Sequence, residues 1–322
     1  MKLKQAFLIA FGFLFHISLA QHTDVINSNR PSESMSAFAV GKTVIQLESG
    51  LNYLKEKHSL LDYKATGPVL DFTLRYGFLK EQLEFITDLS YQNDKYVVGE
   101  NSTKRSGLRT TTMGFKYLIY DPFKNVEEKV NLYSWKANHK FNWKQFIPAF
   151  SAYVGMNLNF SNAYNLKADK VGVISPKVMI ISQNIFGNSY VLTANVFMDK
   201  ISTPRASLGY IITMTKGLND KWSVFFENKG LRGDFYADGI FTGGAAFLMS
   251  KNMQIDASIS KNYKNTPSII YGGFGISWRS DTNYKDVMIR AKKEDKKKDK
   301  SKKDKDKDKK KKRLDEVEVE KP

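Results

Sequence analysis

Charged side chains recur at alternate positions of otherwise apolar segments, where they could line a path for a polar solute. Their signs are mixed, and residues two apart in a strand point to the same face. Such side chains fit either of two roles: a permeation path, or salt bridges that fill a narrow interior. The sequence leaves both roles open. The nine candidate lumen-facing residues are Glu48, Asp71, Arg75, Glu84, Asp88, Lys116, Lys177, Glu227 and Asp256.

Side chains suited to catalysis or metal binding are scarce. The chain has no cysteine, which excludes disulfides, thiolate nucleophiles and cysteine-ligated metals. After residue 20 the histidines are His22, His58 and His139, all outside the predicted strands, whereas catalysis needs a histidine on a rigid element. Neither a G-x-S-x-G elbow nor an H-E-x-x-H helix occurs. The sequence therefore predicts no enzyme, no metal site and no cofactor.

The alternation itself predicts the elements that hold the charged residues. From Thr43 to Arg279, segments of about ten residues alternate apolar with polar or small residues and end in turns. Each strand then has one apolar and one polar face, as in a membrane barrel or a soluble sandwich. Rings at the segment ends resemble interfacial girdles and favour the barrel. These rings are Tyr53, Tyr76, Phe78, Tyr91, Tyr117, Phe160, Tyr210, Trp222 and Trp278.

The fold prediction is a transmembrane antiparallel up-and-down β-barrel of about twelve strands. An even strand number places both ends of the barrel on the periplasmic side. The predicted strands are 43–54, 68–78, 82–92, 109–119, 146–160, 171–183, 188–199, 205–215, 221–229, 239–249, 252–261 and 268–279.

Residues 1–20 have the features of a cleavable secretory signal. Lys2 and Lys4 precede an apolar run that ends at Leu19, and cleavage is expected after Ala20. Later apolar runs are shorter than the roughly 18 residues of a membrane helix. The last strand, with Gly273, Ile276 and Trp278, resembles the signal that bacterial barrels present to the assembly machinery. We therefore expect outer-membrane lipids and the barrel-assembly machinery of a Gram-negative bacterium as partners.

The connections between strands divide by length. Tight turns such as 79–81 are expected on the periplasmic side. Segments 55–67 and 93–108 are expected to form outward loops. The longest connection, 120–145, is either a small periplasmic insert or a hidden hairpin, and we predict the insert.

Residues 21–42 precede the barrel and are expected to enter or cap its periplasmic mouth. An arginine that leaves bulk water needs a partner, and Glu48 and Glu84 line the first strands. We therefore expect Arg30 to pair with an inner carboxylate such as Glu48 or Glu84. The alternative is a flexible leader, because chain termini often fray.

Residues 280–322 form a highly charged tail. Residues 281–322 carry +6 of the formal net charge of +17. The tail has almost no apolar residue and is therefore expected to be disordered. No aromatic residue lies among its lysines, so we expect no nucleic-acid partner. Its end resembles the energy-coupling box by which TonB-dependent receptors are grasped through strand addition. That docking segment comprises Leu314, Asp315, Glu316, Val317, Glu318 and Val319. The alternative is an acidic stub that only offsets the lysines.

Three stretches resemble the family of outer-membrane barrels associated with the MetA pathway of phenol degradation. The resemblance is best over residues 24–92 and extends to the later strands only as a pattern. It implies the barrel fold and a transporter-like function. The stretches are Asn29-Arg30-Pro31-Ser32, Lys42 with Gln46-Leu47-Glu48-Ser49-Gly50, and Leu74-Arg75-Tyr76-Gly77 with Leu83-Glu84.

Two functions follow from these predictions. The first is a channel for a small, hydrophobic or aromatic solute, with the inner charges and residues 21–42 setting selectivity. The second is a non-enzymatic accessory subunit of a larger outer-membrane complex, in which 120–145 and the tail recruit periplasmic or other outer-membrane proteins.

Overall fold

The computed structural model describes residues 25–122, 146–164, 173–187 and 189–282, and the strands within them pair into a closed barrel. Every strand is antiparallel to its neighbours in chain order, and the first strand pairs with the last. The strands are β1 (Ile45–His58), β2 (Tyr63–Gly77), β3 (Leu83–Val98), β4 (Asn101–Tyr120), β5 (Ala149–Leu158), β6 (Ile174–Phe186), β7 (Tyr190–Asp199), β8 (Ser207–Gly217), β9 (Trp222–Gly233), β10 (Ala237–Ser250), β11 (Met253–Asn262) and β12 (Ser268–Ser280).

The two faces of the wall differ in chemistry, as the alternation predicts. Leu51 is 60% exposed on the outer face, whereas the next residue, Asn52, is 6% exposed on the inner face. Val154 is 63% exposed and its neighbour Tyr153 is fully buried. In a membrane barrel the outer face contacts lipid and the inner face contacts the lumen, so an apolar outer face and a polar inner face are expected.

Two hairpins extend farther than the sequence suggested. Segments 55–67 and 93–108, predicted as outward loops, are mostly strand, so that only short turns join β1 to β2 and β3 to β4. Backbone pairing continues there, for example between His58 and Tyr63. The apolar alternation fades in these extensions although the ladder does not, and a reading based on alternation therefore ends the strands too early.

Other predicted segments lie outside the described residues. These are the signal 1–20, residues 123–145 of the long connection, and the tail from residue 283, including the docking segment 314–319. Within the described ranges, no helix is long and apolar enough to cross a membrane.

Candidate functional site: the occupied barrel lumen

Residues 25–44 run through the inside of the barrel, and we call them the plug segment. Near its start, the Ile26 amide donates to the Lys251 carbonyl at the β10–β11 turn, 2.8 Å away. Near its end, the Thr43 amide donates to the Gly77 carbonyl at the end of β2, 3.0 Å away. The segment therefore enters and leaves the lumen at the end of the barrel where β1 begins and β12 ends.

The backbone of the plug segment is held by side chains of the wall. The segment contains no helix or strand, so that its amide and carbonyl groups need other partners once they leave water. The Asn195 side chain is a partner for both groups of Met35: it accepts a hydrogen bond from the Met35 amide at 2.7 Å and donates one to the Met35 carbonyl at 3.0 Å. On the strands, four further side chains accept from plug amides, namely Glu48 from Asn29 and Arg30, Glu227 from Glu33 and Ser34, Gln183 from Ala37, and Glu84 from Val40.

Four of the predicted charged residues form one buried ion cluster beside the plug segment. Arg75 lies 3.4 Å from Glu48 and 3.1 Å from Glu84, and Lys116 lies 2.7 Å from Glu84. All four side chains are at most 1% exposed. Two positive and two negative charges balance, which is what makes their burial tolerable.

The two cations of this cluster also bind plug carbonyls. The Arg75 guanidinium donates to the Asn27 carbonyl at 2.7 Å. The Lys116 ammonium donates to the carbonyls of Ser36 at 2.6 Å and Phe38 at 3.0 Å. The cluster thus joins strands β1 to β4 to the plug segment through charge-assisted hydrogen bonds, which are stronger than neutral ones.

An apolar cluster that extends from β3 to β8 also holds the same segment. Met35 and Ala37 of the plug segment are 7% and 0% exposed, and both belong to the main buried apolar cluster. The plug segment therefore has both polar and apolar contacts with the wall. The wall residues of the cluster are Ile86, Leu118, Ala149, Tyr153, Met179, Ile181, Phe197 and Ile211.

Arg30 lies inside the lumen, where its side chain pairs with an inner carboxylate other than the two given as examples. Its guanidinium is 3.1 Å from Asp256 on β11, rather than paired with Glu48 or Glu84. Glu48 instead accepts from the Arg30 backbone amide at 3.2 Å. Closure of the barrel between β1 and β12 brings β11 near the plug segment, and that proximity is not visible in the local sequence.

Three other candidates, Asp71, Asp88 and Lys177, line a cavity of about 600 Å³ in the lumen, bordered by the plug segment. Asp71 accepts a hydrogen bond from Asn52 and Asp88 accepts one from Thr73, each at 2.7 Å. The Lys177 ammonium lies 5.7 Å from the centre of the Phe197 ring. We call this space the lumen cavity. Its apolar lining includes Met179, Phe197, Ile211, Leu231, Phe235 and Tyr236.

Several partners of the plug segment were not predicted from the sequence. Gln183 and Asn195 hold the plug backbone, yet amides carry no charge and were not counted. Glu33 of the plug segment forms an ion pair with Lys229 and accepts a hydrogen bond from Tyr271 at 2.5 Å. Extending the alternation rule to uncharged polar side chains would have identified both amides.

In the part of the chain that the structure describes, no group of three or more histidine, aspartate or glutamate side chains is placed to hold a metal ion. His58 lies at the end of β1, and its Nδ1 accepts a hydrogen bond from the Leu61 amide at 3.1 Å.

A closed antiparallel barrel with an apolar exterior and a polar, partly filled interior defines an outer-membrane β-barrel protein. The chain belongs to the family described as "Putative MetA-pathway of phenol degradation", which it matches over residues 28–280. No curated protein sequence gives a significant match.

Two solved structures illustrate the fold similarity. The COG4313 outer membrane channel from Pseudomonas putida F1 is 11% identical with a TM-score of 0.51, covering 79% of this chain and 100% of that chain. The TodX deltaS2S3 mutant monoaromatic hydrocarbon channel is 10% identical with a TM-score of 0.44, covering 82% and 97%. The first likeness shows a shared fold, and the second is too weak to support an argument.

Proposed function

We propose that the protein is an outer-membrane channel for a small solute that combines an aromatic ring with a polar substituent. The observation that carries the proposal is the lumen cavity. Its volume of about 600 Å³ falls within the range of small-molecule sites, about 300–1,000 Å³. A structural filling of the barrel would not need a cavity of that size beside the plug segment.

The lining of the lumen cavity supports this solute class. Phe197 and Met179 offer an apolar surface, and Lys177 lies beside the Phe197 ring. Asp71 and Asp88 provide acceptors on β2 and β3. A phenol-like molecule could stack on the apolar side and hydrogen-bond with its hydroxyl, in keeping with the description of the family.

The plug segment lies on the path between this cavity and the end of the barrel where the described chain begins and ends. We propose that this end faces the periplasm, because a single-chain barrel with an even number of strands places both chain ends on that side. A solute taken up from outside would then reach the lumen cavity first. Passage onward requires the plug segment to move. The proposal assigns no catalytic residue to the barrel.

A reversible cross-link tests whether plug movement is needed. The hydroxyl oxygens of Ser28, in the plug segment, and Ser277, on β12, are 2.7 Å apart. Cysteines at both positions are therefore suitably placed for a disulfide of about 2.05 Å, in a chain with no other cysteine. Phenol uptake into proteoliposomes by Ser28→Cys/Ser277→Cys should fall at least about tenfold on oxidation and recover on reduction.

A matched cross-link within the wall serves as the control. Thr242 on β10 and Ser260 on β11 also have hydroxyl oxygens 2.8 Å apart in the lumen, and a disulfide there leaves the plug segment untied. Uptake by Thr242→Cys/Ser260→Cys should not depend on oxidation. If Ser28→Cys/Ser277→Cys takes up phenol equally fast in the oxidised and reduced states, plug movement is refuted. Absence of uptake in every state would refute the channel and favour the accessory-subunit role.

A further inference from the structure

A row of four inward residues crosses the seam where the barrel closes. Pairing register places Asp71 opposite Gly50, Gly50 opposite Gly275, and Gly275 opposite Asp256. The row therefore runs across β2, β1, β12 and β11, with a carboxylate at each end and two glycines between. We call it the glycine row.

The guanidinium of Arg30 lies directly on the two glycines. A Cβ atom added to Gly50 or to Gly275 would overlap its nitrogen atoms. A glycine inside a strand often marks a place where another group approaches the backbone closely. The side chain of Arg30 thus occupies space that only glycine leaves open.

Asp256 binds this guanidinium through both carboxylate oxygens. Arg30 Nη2 donates to Oδ1 at 3.1 Å and Arg30 Nε donates to Oδ2 at 3.4 Å. The Asp256 side chain is completely buried, and that of Arg30 is 14% exposed. The two glycines leave a flat surface, and the Asp256 carboxylate accepts two hydrogen bonds. This arrangement suits a guanidinium, which is planar and donates two hydrogen bonds in parallel, better than an ammonium, which is a compact point charge.

Main-chain contacts on both sides of Arg30 couple this site to the plug segment. Glu48 accepts from the Arg30 amide, and Gln254 donates to the Arg30 carbonyl at 3.0 Å. Displacement of the side chain would therefore pull on the backbone that these groups hold. Asp71, at the other end of the row, binds Asn52.

We infer that the glycine row with Asp256 is a binding site for planar cations of the guanidinium class, and that Arg30 is its built-in occupant. Occupancy by Arg30 holds the plug segment in the lumen. Truncation of Arg30 leaves an empty site of defined shape and charge. A small guanidinium compound should fill that site.

Titration calorimetry with methylguanidinium tests the site directly. The Arg30→Ala variant should bind it at millimolar concentration, whereas the wild-type protein, whose site is filled, should not. Methylammonium should bind at least about tenfold more weakly, a difference of about 1.4 kcal/mol. Equal affinity for the two cations, or binding that persists in Arg30→Ala/Asp256→Asn, would overturn the inference.

A labelling experiment tests the role of the occupant without requiring any solute to pass. Met35→Cys introduces a single, buried thiol in the plug segment. Adding Arg30→Ala should speed its reaction with a maleimide at least about tenfold, and methylguanidinium should slow it again. An unchanged labelling rate in the Arg30→Ala background would show that Arg30 does not hold the plug segment.

A glycine substitution provides a second route that keeps Arg30. Gly275→Ala should speed labelling of the Met35→Cys thiol, because the new Cβ overlaps the guanidinium. Gly243→Ala is the matched control, since the nearest atom to its added Cβ is 4.0 Å away. Both variants should keep the heat-modifiable migration of a folded barrel. Equal labelling in these two folded variants would contradict the proposed cradle.

Discussion

At the scale of single residues, the charged side chains of the lumen divide into two groups. Glu48, Arg75, Glu84 and Lys116 form the buried cluster that binds the plug backbone. Lys177 lines the lumen cavity and lies beside an aromatic ring. Charged residues on the same face of the wall therefore have different roles, binding the plug backbone or lining the cavity. Substitutions should distinguish the two roles.

Replacing Lys116 with methionine should destabilise the protein strongly. The change leaves the carbonyls of Ser36 and Phe38 without this donor and gives the ion cluster a net negative charge. Removing one partner of a buried ion pair costs about 3–5 kcal/mol. Urea unfolding of the refolded protein in liposomes measures the loss. Lys177→Met is the control, expected to lose less than about 1 kcal/mol because its ammonium contacts a ring and an open cavity. Equal losses would contradict the assigned roles.

At the scale of the strands, the two faces of the wall should respond differently to the same charge. Val178 points outward from β6 and is 37% exposed, whereas Thr73 points inward from β2 and lines the lumen cavity. A charge on the lipid face near mid-bilayer destabilises the folded barrel more than the same charge on the lumen face.

An arginine at position 178 should cost about 2–4 kcal/mol. Thr73→Arg should cost less, because its charge meets the polar lumen cavity. Unfolding free energies in liposomes give both values. Similar damage from the two substitutions would mean that the assignment of faces in β2 or β6 is wrong.

At the scale of the whole molecule, the barrel is one part of a longer chain. From residue 283 the tail lies beyond the described residues, and its role remains the hypothesis drawn from its sequence. If the tail begins in the periplasm, the docking segment 314–319 can reach partners there. Strand addition would pair its backbone with an exposed sheet edge and leave Val317 and Val319 to fill shallow pockets.

Titration of a synthetic 311–322 peptide with the C-terminal domain of TonB tests the docking hypothesis. Binding at millimolar or lower concentration is expected, and Val317→Asp should abolish it by placing a charge in an apolar pocket. A peptide in which Lys321 is replaced by alanine should bind as well as the parent. Lack of binding, or an unchanged affinity of the Val317→Asp peptide, would support the acidic stub.

The sequence alone determined the class of the barrel and the number of its strands. The reason is local: side chains alternate with a period of two, so that position along a strand specifies lipid or lumen. The same rule missed the outer ends of β1 to β4, where the apolar signal fades before the backbone pairing ends.

Only the tertiary structure decided which inward residues meet. Arg30 and Asp256 are 226 residues apart in the chain, and they come together because β12 closes on β1 and brings β11 beside the plug segment. The path of that segment follows from the satisfaction of its backbone groups by distant side chains such as Asn195. Periodicity describes one strand at a time, whereas these contacts depend on barrel closure and on a segment with no repeating pattern.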